Sequence, residues 1–264
     1  LGGDGADEML SGYKRYAIQK RNVFLNYLPS SYRNFNKSLL KHTPLAFSKS
    51  AGWGKANRLL ESLSCDMIGT YYVRLSGFSK KQKLDLFGQD KTQISQNIWN
   101  EDIYDYFAKH SNLSSIDQLM AVDQITHLPE YILTKSDISG MANGLEARAP
   151  FIDVEFIEWI NKLNPSFKDG NYSKRILKDI LQDSGVAKDI VHRKKAGFTP
   201  PLKGWIKDSN EEIRHYLLSE ESTLNFLDKD YLKGIYDYNH SNDYPMPNHL
   251  YTLLTLGIWL DNLI

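Results

Sequence analysis

A chain of 264 residues is long enough for one large domain or two small ones. Lysine plus arginine equals aspartate plus glutamate at 32 each, so no global field steers the chain toward nucleic acid or anionic lipid. The single cysteine, Cys65, excludes an internal disulfide and any cysteine-based metal cluster and points to the cytoplasm; no apolar run reaches the length of a membrane span, and no charged-then-apolar leader is present.

The chain opens on Leu-Gly-Gly-Asp-Gly-Ala-Asp-Glu-Met-Leu-Ser-Gly-Tyr, glycines interleaved with acidic residues just ahead of a helical pattern. Gly2, Gly3 and Gly5 allow close approach of a ligand to the backbone, and a helix start offers unpaired N–H groups to an anion. Asp4, Asp7 and Glu8 put negative charge in the same place, which suits a magnesium–phosphate complex, because Mg2+ takes hard oxygens from protein and phosphate together. A glycine-rich turn with Asp7 and Glu8 set against the helix dipole accounts for the same residues. Both readings stay open on this segment alone.

A first helix is expected over residues 7–21, with Met9, Leu10, Tyr13 and Ala17 at core spacing and a basic outer face. A helical pair follows near 30–41 and 46–62, punctuated by Pro29 and Pro44. Shorter helices are expected over 65–74, 79–86, 94–108 and 115–127, with Ser79 as an N-cap and Ser115 with Gln118 as a capping box. Pro129 starts a helix that Gly144 ends. Glu146, Arg148 and Asp153 then crowd around Pro150 and Phe151, where partly buried charges would have to pair. An Arg148 salt-bridge knot that locks the loop is one account of them. Arg193, Lys194 and Lys195 end at Ala196-Gly197 before a rigid Thr-Pro-Pro segment, presenting charge to a polyanion or forming a solvated basic turn. Residues 239–248 form the expected exposed turn, and the last helix, 247–262, is apolar on most sides and expected to be buried. Strand patterns and hairpin turns are missing, so the chain reads as mainly α.

Three of these segments together carry a resemblance. Leu1–Tyr13, the Asp-x-x-x-Met-x-x-x-Leu-Glu-Ala-Arg-x-Pro-Phe-Ile-Asp run of 137–153, and Arg-Lys-Lys-Ala-Gly-Phe-Thr-Pro-Pro with the following Trp205 are similar, in order, to three signatures of the asparagine synthetase family. The resemblance implies the helical portion of an α/β adenine-nucleotide α-hydrolase-like (ATP pyrophosphatase) synthetase domain, a single domain over 1–264. It implies an amide-forming ligase: aspartate is activated by ATP to β-aspartyl-AMP with release of pyrophosphate, and ammonia from glutamine displaces AMP. The family's Ser-Gly-Gly-x-Asp-Ser pyrophosphate loop and its N-terminal glutaminase domain are not in this sequence. The chain therefore reads as a piece truncated on its N-terminal side, with most of the parallel sheet upstream, and as inactive in isolation.

Carried over by resemblance, Asp7 is the Mg2+ ligand, Asp4 the residue that orients or deprotonates ammonia, and Lys195 the cation on the α-phosphate and pyrophosphate. Asp4 stands where some members have a glutamate, one methylene longer, and Gly2 where the pattern often has serine. Gly2, Gly3 and Gly5 with Lys195 would meet ATP or the acyl-adenylate. Glu8, Asp137, Glu146 and Arg148 would support the aspartate and ammonia pocket from behind. The implied partners are small molecules (aspartate, ATP, ammonia from glutamine) with no nucleic acid and no membrane, and a homodimer stays open. The competing readings are a same-fold amidotransferase or cyclase for another carboxylate, in surface-polysaccharide, β-lactam or peptide chemistry, and a helical interaction module without catalysis.

Overall fold

The computed structural model describes residues 1–22, 29, 31–32, 34–36, 38, 60–65, 67–75, 77–78, 80–87, 100–168, 172–193, 200–241 and 246–263. Lys194, Lys195 and Gly197, the Ser79 N-cap and most of the helical pair expected near 30–41 and 46–62 lie outside these residues. The described residues are helical without a strand, as a mainly α chain requires, and none of their helices is long and apolar enough to cross a membrane. The chain divides into two compact units, one formed by Leu1–Asn26 and Glu101–Ala196, the other by Tyr27–Asn100 and Gly197–Ile264.

In the first unit, Met9, Leu10, Leu128 and Ile160 form a buried core. Ile132, Leu133, Phe151, Ile152, Phe156 and Ile176 are among the side chains packed around it. The helix expected over 7–21 is broken. Ala6–Met9 is a single turn and a second helix runs from Lys14 to Asn22, with Ser11 at φ 55 between them. The break has the geometry of a helix C-terminus, with a left-handed residue followed by a backbone bond that reaches back over the turn. The Gly12 N–H reaches back to Asp7 O at 2.8 Å, and the Asp7 side chain lies over the space where a Cβ of residue 12 would stand. Both pieces pack on the helix Ser115–Ile125. That helix is capped by Ser114, whose Oγ accepts from Asp117 N at 3.2 Å, one residue earlier than the capping box predicted.

Beyond it, the helix expected from Pro129 begins as a widened π turn, Leu128–Leu133, and continues as Thr134–Met141. Gly144 at φ 65 closes it, with the Leu145 N–H returned to Gly140 O at 3.0 Å. A short 3-10 turn, Pro150–Ile152, leads into the helix Val154–Lys162, capped by Asp153.

The second unit has its own core among the described residues. Ile206, Ile213, Leu217, Leu232, Ile235, Leu250 and Leu253 meet from the helices Leu202–Asp208, Asn210–Leu218, Lys229–Ser241 and Pro247–Asp261. Gly257 allows the last of these to close on Tyr216, whose Oη would lie 2.7 Å from a Cβ there. Leu250, Leu253 and Gly257 are buried, but Tyr251, Ile258 and Trp259 are each half exposed or more. Burial on most sides is therefore corrected: the other described helices pack on one face only. The turn expected over 239–248 is also shorter than predicted. Asn239 is fully buried in its helix, donating to Ile235 O and accepting from Met246 N, both at 2.9 Å, while residues 242–245 lie outside the described set.

Candidate active site

The opening loop is held at three places against the second signature segment and the residue just before it. Gly2 N donates to Arg148 O at 2.7 Å. Gly5 adopts φ 86, a left-handed conformation that favours glycine, and a Cβ there would lie 2.6 Å from Ile152 Cγ2. The Asp4 carboxylate folds back so that its Oδ2 accepts from Ser136 Oγ at 2.9 Å. Residues 132 apart in sequence thus meet in one small region of the first unit.

The three glycines end in different situations. The Gly2 N–H is engaged by Arg148, and Gly5 is covered by Phe151 and Ile152. Gly3 faces open space, with nothing within 4 Å of a built Cβ. Because Ala6–Met9 is only one turn long, any anion here would rely on loop N–H groups and not on a helix dipole.

Asp7 is partly buried and pairs with Lys174, Nζ to Oδ1 at 3.0 Å; the two side chains are 22% and 23% exposed. Lys174 sits at φ 55, uncommon for a residue with a side chain, and its N–H donates to Leu10 O at 2.9 Å. Gly12 is what leaves room: a Cβ there would stand 1.8 Å from Asp7 Oδ1 and 2.4 Å from Lys174 Cε.

Behind this loop lies a buried polar network. Glu8 is 1% exposed and accepts from the Tyr13 hydroxyl at 2.6 Å. Burial pushes its carboxyl above the ordinary carboxylate range; the Tyr13 hydrogen bond opposes this, and the charges of Asp7 and Asp123 add to it. The Tyr13 phenol is in turn pushed well above its usual value, first by burial and then by Glu8. The Arg15 guanidinium lies 3.7 Å over the Tyr13 ring and pairs with Asp123 at 2.7 Å. Tyr16 also donates to Asp123, a carboxylate with no solvent exposure. The charge of Asp123 is thereby matched by a cation and a hydroxyl, as a buried carboxylate requires.

Other predicted residues are placed differently. Glu146 and Arg148 pair at 2.9 Å, but their side chains are 70% and 76% exposed, so the expected partly buried knot is not formed. Asp153 does not join them; it accepts from Phe156 N at 3.2 Å and caps a helix. The part of Arg148 that touches the loop is its backbone carbonyl. Asp137 and Arg193 are exposed, and Lys195 lies outside the described residues. Among the described residues no group of three or more His, Cys, Asp or Glu could hold a metal ion. Among the described residues, Asp7 is therefore not joined by two further His, Cys, Asp or Glu side chains in a metal-binding group. A single hard carboxylate suits Mg2+ when phosphate oxygens supply the rest of its shell.

Ser136 and Lys174 were not among the predicted site residues. Ser136 lies just before Asp137, the first residue of the second signature, so proximity to that pattern is its only signal. Lys174 carried none, because nothing in Ser-Lys-Arg marks a lysine that turns back onto Asp7.

The asparagine synthase family model matches residues 1–261. The chain belongs to the asparagine synthase family. It is 26% identical over 259 residues to asparagine synthetase [glutamine-hydrolyzing] 1 of Bacillus subtilis, covering 98% of this chain and 39% of that protein. It is 26% identical over 208 residues to a putative asparagine synthetase [glutamine-hydrolyzing] of Mycobacterium tuberculosis, covering 78% of this chain and 30% of that one. A nodule asparagine synthetase of Pisum sativum is 33% identical over 112 residues, 39% of this chain and 19% of the relative. The chain thus spans well under half the length of these relatives. No solved structure matches it.

Proposed function

We propose that the chain is the C-terminal part of the synthetase domain of a cytoplasmic, glutamine-hydrolysing asparagine synthetase, with both units belonging to that one domain. The observation that carries this reading is the docking of the Asp4–Asp7 loop onto residues 136–152, which joins two of the three family signatures in one place. An exposed interaction module would have no need to bury Glu8 and Asp123 behind such a loop.

In this reading the aspartate side-chain carboxylate attacks the α-phosphorus of ATP, and pyrophosphate leaves with the electrons of the broken P–O bond. Ammonia then attacks the activated carbonyl carbon, AMP departs, and the nitrogen loses a proton as the amide forms. Gly3, on the open side of the loop, gives the acyl-adenylate close access to the backbone. Asp4 receives an N–H of the incoming ammonia. Asp7 is the carboxylate that would hold Mg2+, whose chemistry is to neutralise charge developing on pyrophosphate. Lys195 is the cation assigned to the same charge; a preorganised charge at such a centre is worth about 3–4 kcal/mol of barrier.

The test is pyrophosphate release by the intact protein with candidate acids. Release that depends on aspartate and ATP supports the reading. Silence with aspartate would move it to a ligase for another carboxylate. Residues 1–264 alone are expected to release none, because the pyrophosphate loop expected of the family is not among them.

A further inference from the structure

The helix Thr134–Met141 and its flanking turn contain three hydroxyl side chains, and two follow the usual habit of bonding back to their own helix. Thr134 Oγ1 donates to Pro129 O at 2.8 Å, and Ser139 Oγ to Lys135 O at 2.6 Å. Ser136 is the exception. Its Oγ leaves the helix and donates to Asp4 Oδ2 at 2.9 Å, a part-buried bond across 132 residues of sequence. Gly2, whose N–H is fixed by the Arg148 carbonyl, leaves room beside this carboxylate: a Cβ there would stand 3.4 Å from Asp4 Oδ2. One oxygen of Asp4 is therefore fixed by a hydroxyl from a helix distant in sequence.

We infer that Ser136 is the positioning residue for Asp4 in the amination half of the reaction. A carboxylate has lone pairs for about four donors on two oxygens. Fixing Oδ2 with a hydroxyl sets the plane of the group and presents Oδ1 to a second donor. Ammonia, a small N–H donor without shape of its own, is oriented by acceptors whose own geometry is already fixed. Ser136 does not touch the substrate; it acts through Asp4. The inference rests on the function proposed above, and it separates the two chemical steps: Ser136 belongs to nitrogen attack and not to adenylation.

The experiment uses the intact enzyme with ammonium chloride as nitrogen source. Aspartate-dependent pyrophosphate release without ammonia reports adenylation, and amide formation against ammonia concentration reports the second step. Ser136→Ala is expected to raise the KM for ammonia about tenfold, the effect of losing one hydrogen bond to a charged group, while adenylation changes less than twofold. Ser136→Thr keeps the hydroxyl and restores the parent KM. An unchanged ammonia KM in Ser136→Ala, an equal fall in both steps, or failure of threonine to rescue overturns the assignment of Ser136. Absence of aspartate-dependent pyrophosphate release in the parent overturns the proposed function itself, and this inference with it.

Discussion

Replacing Gly12 with alanine tests the architecture of the acidic loop most directly. Gly12 is not in a left-handed conformation, so backbone strain is no obstacle. In open space the change would stabilise the protein by about 0.4–1 kcal/mol through the unfolded chain. The structure reverses that sign. The new methyl would stand 1.8 Å from Asp7 Oδ1, 2.7 Å from Asp7 Cγ and 2.4 Å from Lys174 Cε, so the Asp7 carboxylate must leave its position. Its 3.0 Å pair with Lys174 is lost with it. An exposed pair is worth about 0–1 kcal/mol and a broken buried one costs about 3–5 kcal/mol. With both side chains near one-fifth exposed, about 1–2 kcal/mol is expected from the pair, and residual crowding brings the net destabilisation to about 1–3 kcal/mol. Thermal unfolding followed by circular dichroism reads this as a lower Tm, at about 2–4 °C per kcal/mol for a chain of this size. In an Asp7→Ala background two of the three close atoms are gone and only the flexible end of Lys174 remains. The alanine at 12 should then cost at least about 1 kcal/mol less, a coupling typical of residues in contact. A Gly12→Ala variant as stable as its parent, or more so, would refute the placement of Asp7 over Gly12.

Two further outcomes follow from burial. Arg148→Ala is expected to cost less than about 1 kcal/mol, because its pair with Glu146 is exposed and its loop contact is made by the backbone; a loss of several kcal/mol in a urea melt would contradict the exposed placement. Burial, with Glu8 and Asp123 adding, pushes the Tyr13 and Tyr16 phenols up, so above about pH 10 the folded protein keeps protons that the unfolded chain releases. Stability should therefore fall as pH rises past that value, and Tyr13→Phe should reduce the slope. A urea midpoint unchanged across that range would contradict the buried network.

The sequence alone determined the helical character of the chain, the approximate places of its helices and its membership signatures. These are local properties: apolar spacing, a capping hydroxyl, a proline at a helix start, a glycine past its end. It misjudged features that depend on what packs nearby. The 7–21 pattern reads as one helix because Met9, Leu10 and Tyr13 have the right spacing, yet the Asp7 side chain occupies the space beside Gly12 and the backbone folds back there. Arg148 reads as buried because Pro150 and Phe151 adjoin it, yet its guanidinium points to solvent while its carbonyl holds the loop.

Only the tertiary structure decided which polar groups meet. Any serine can donate and any lysine can pair, so their types carry no address. The address of Ser136 on Asp4, and of Lys174 on Asp7, is written by the packing of the Met9–Leu10 core against Leu128 and Ile160, which brings distant segments of the chain to hydrogen-bonding distance.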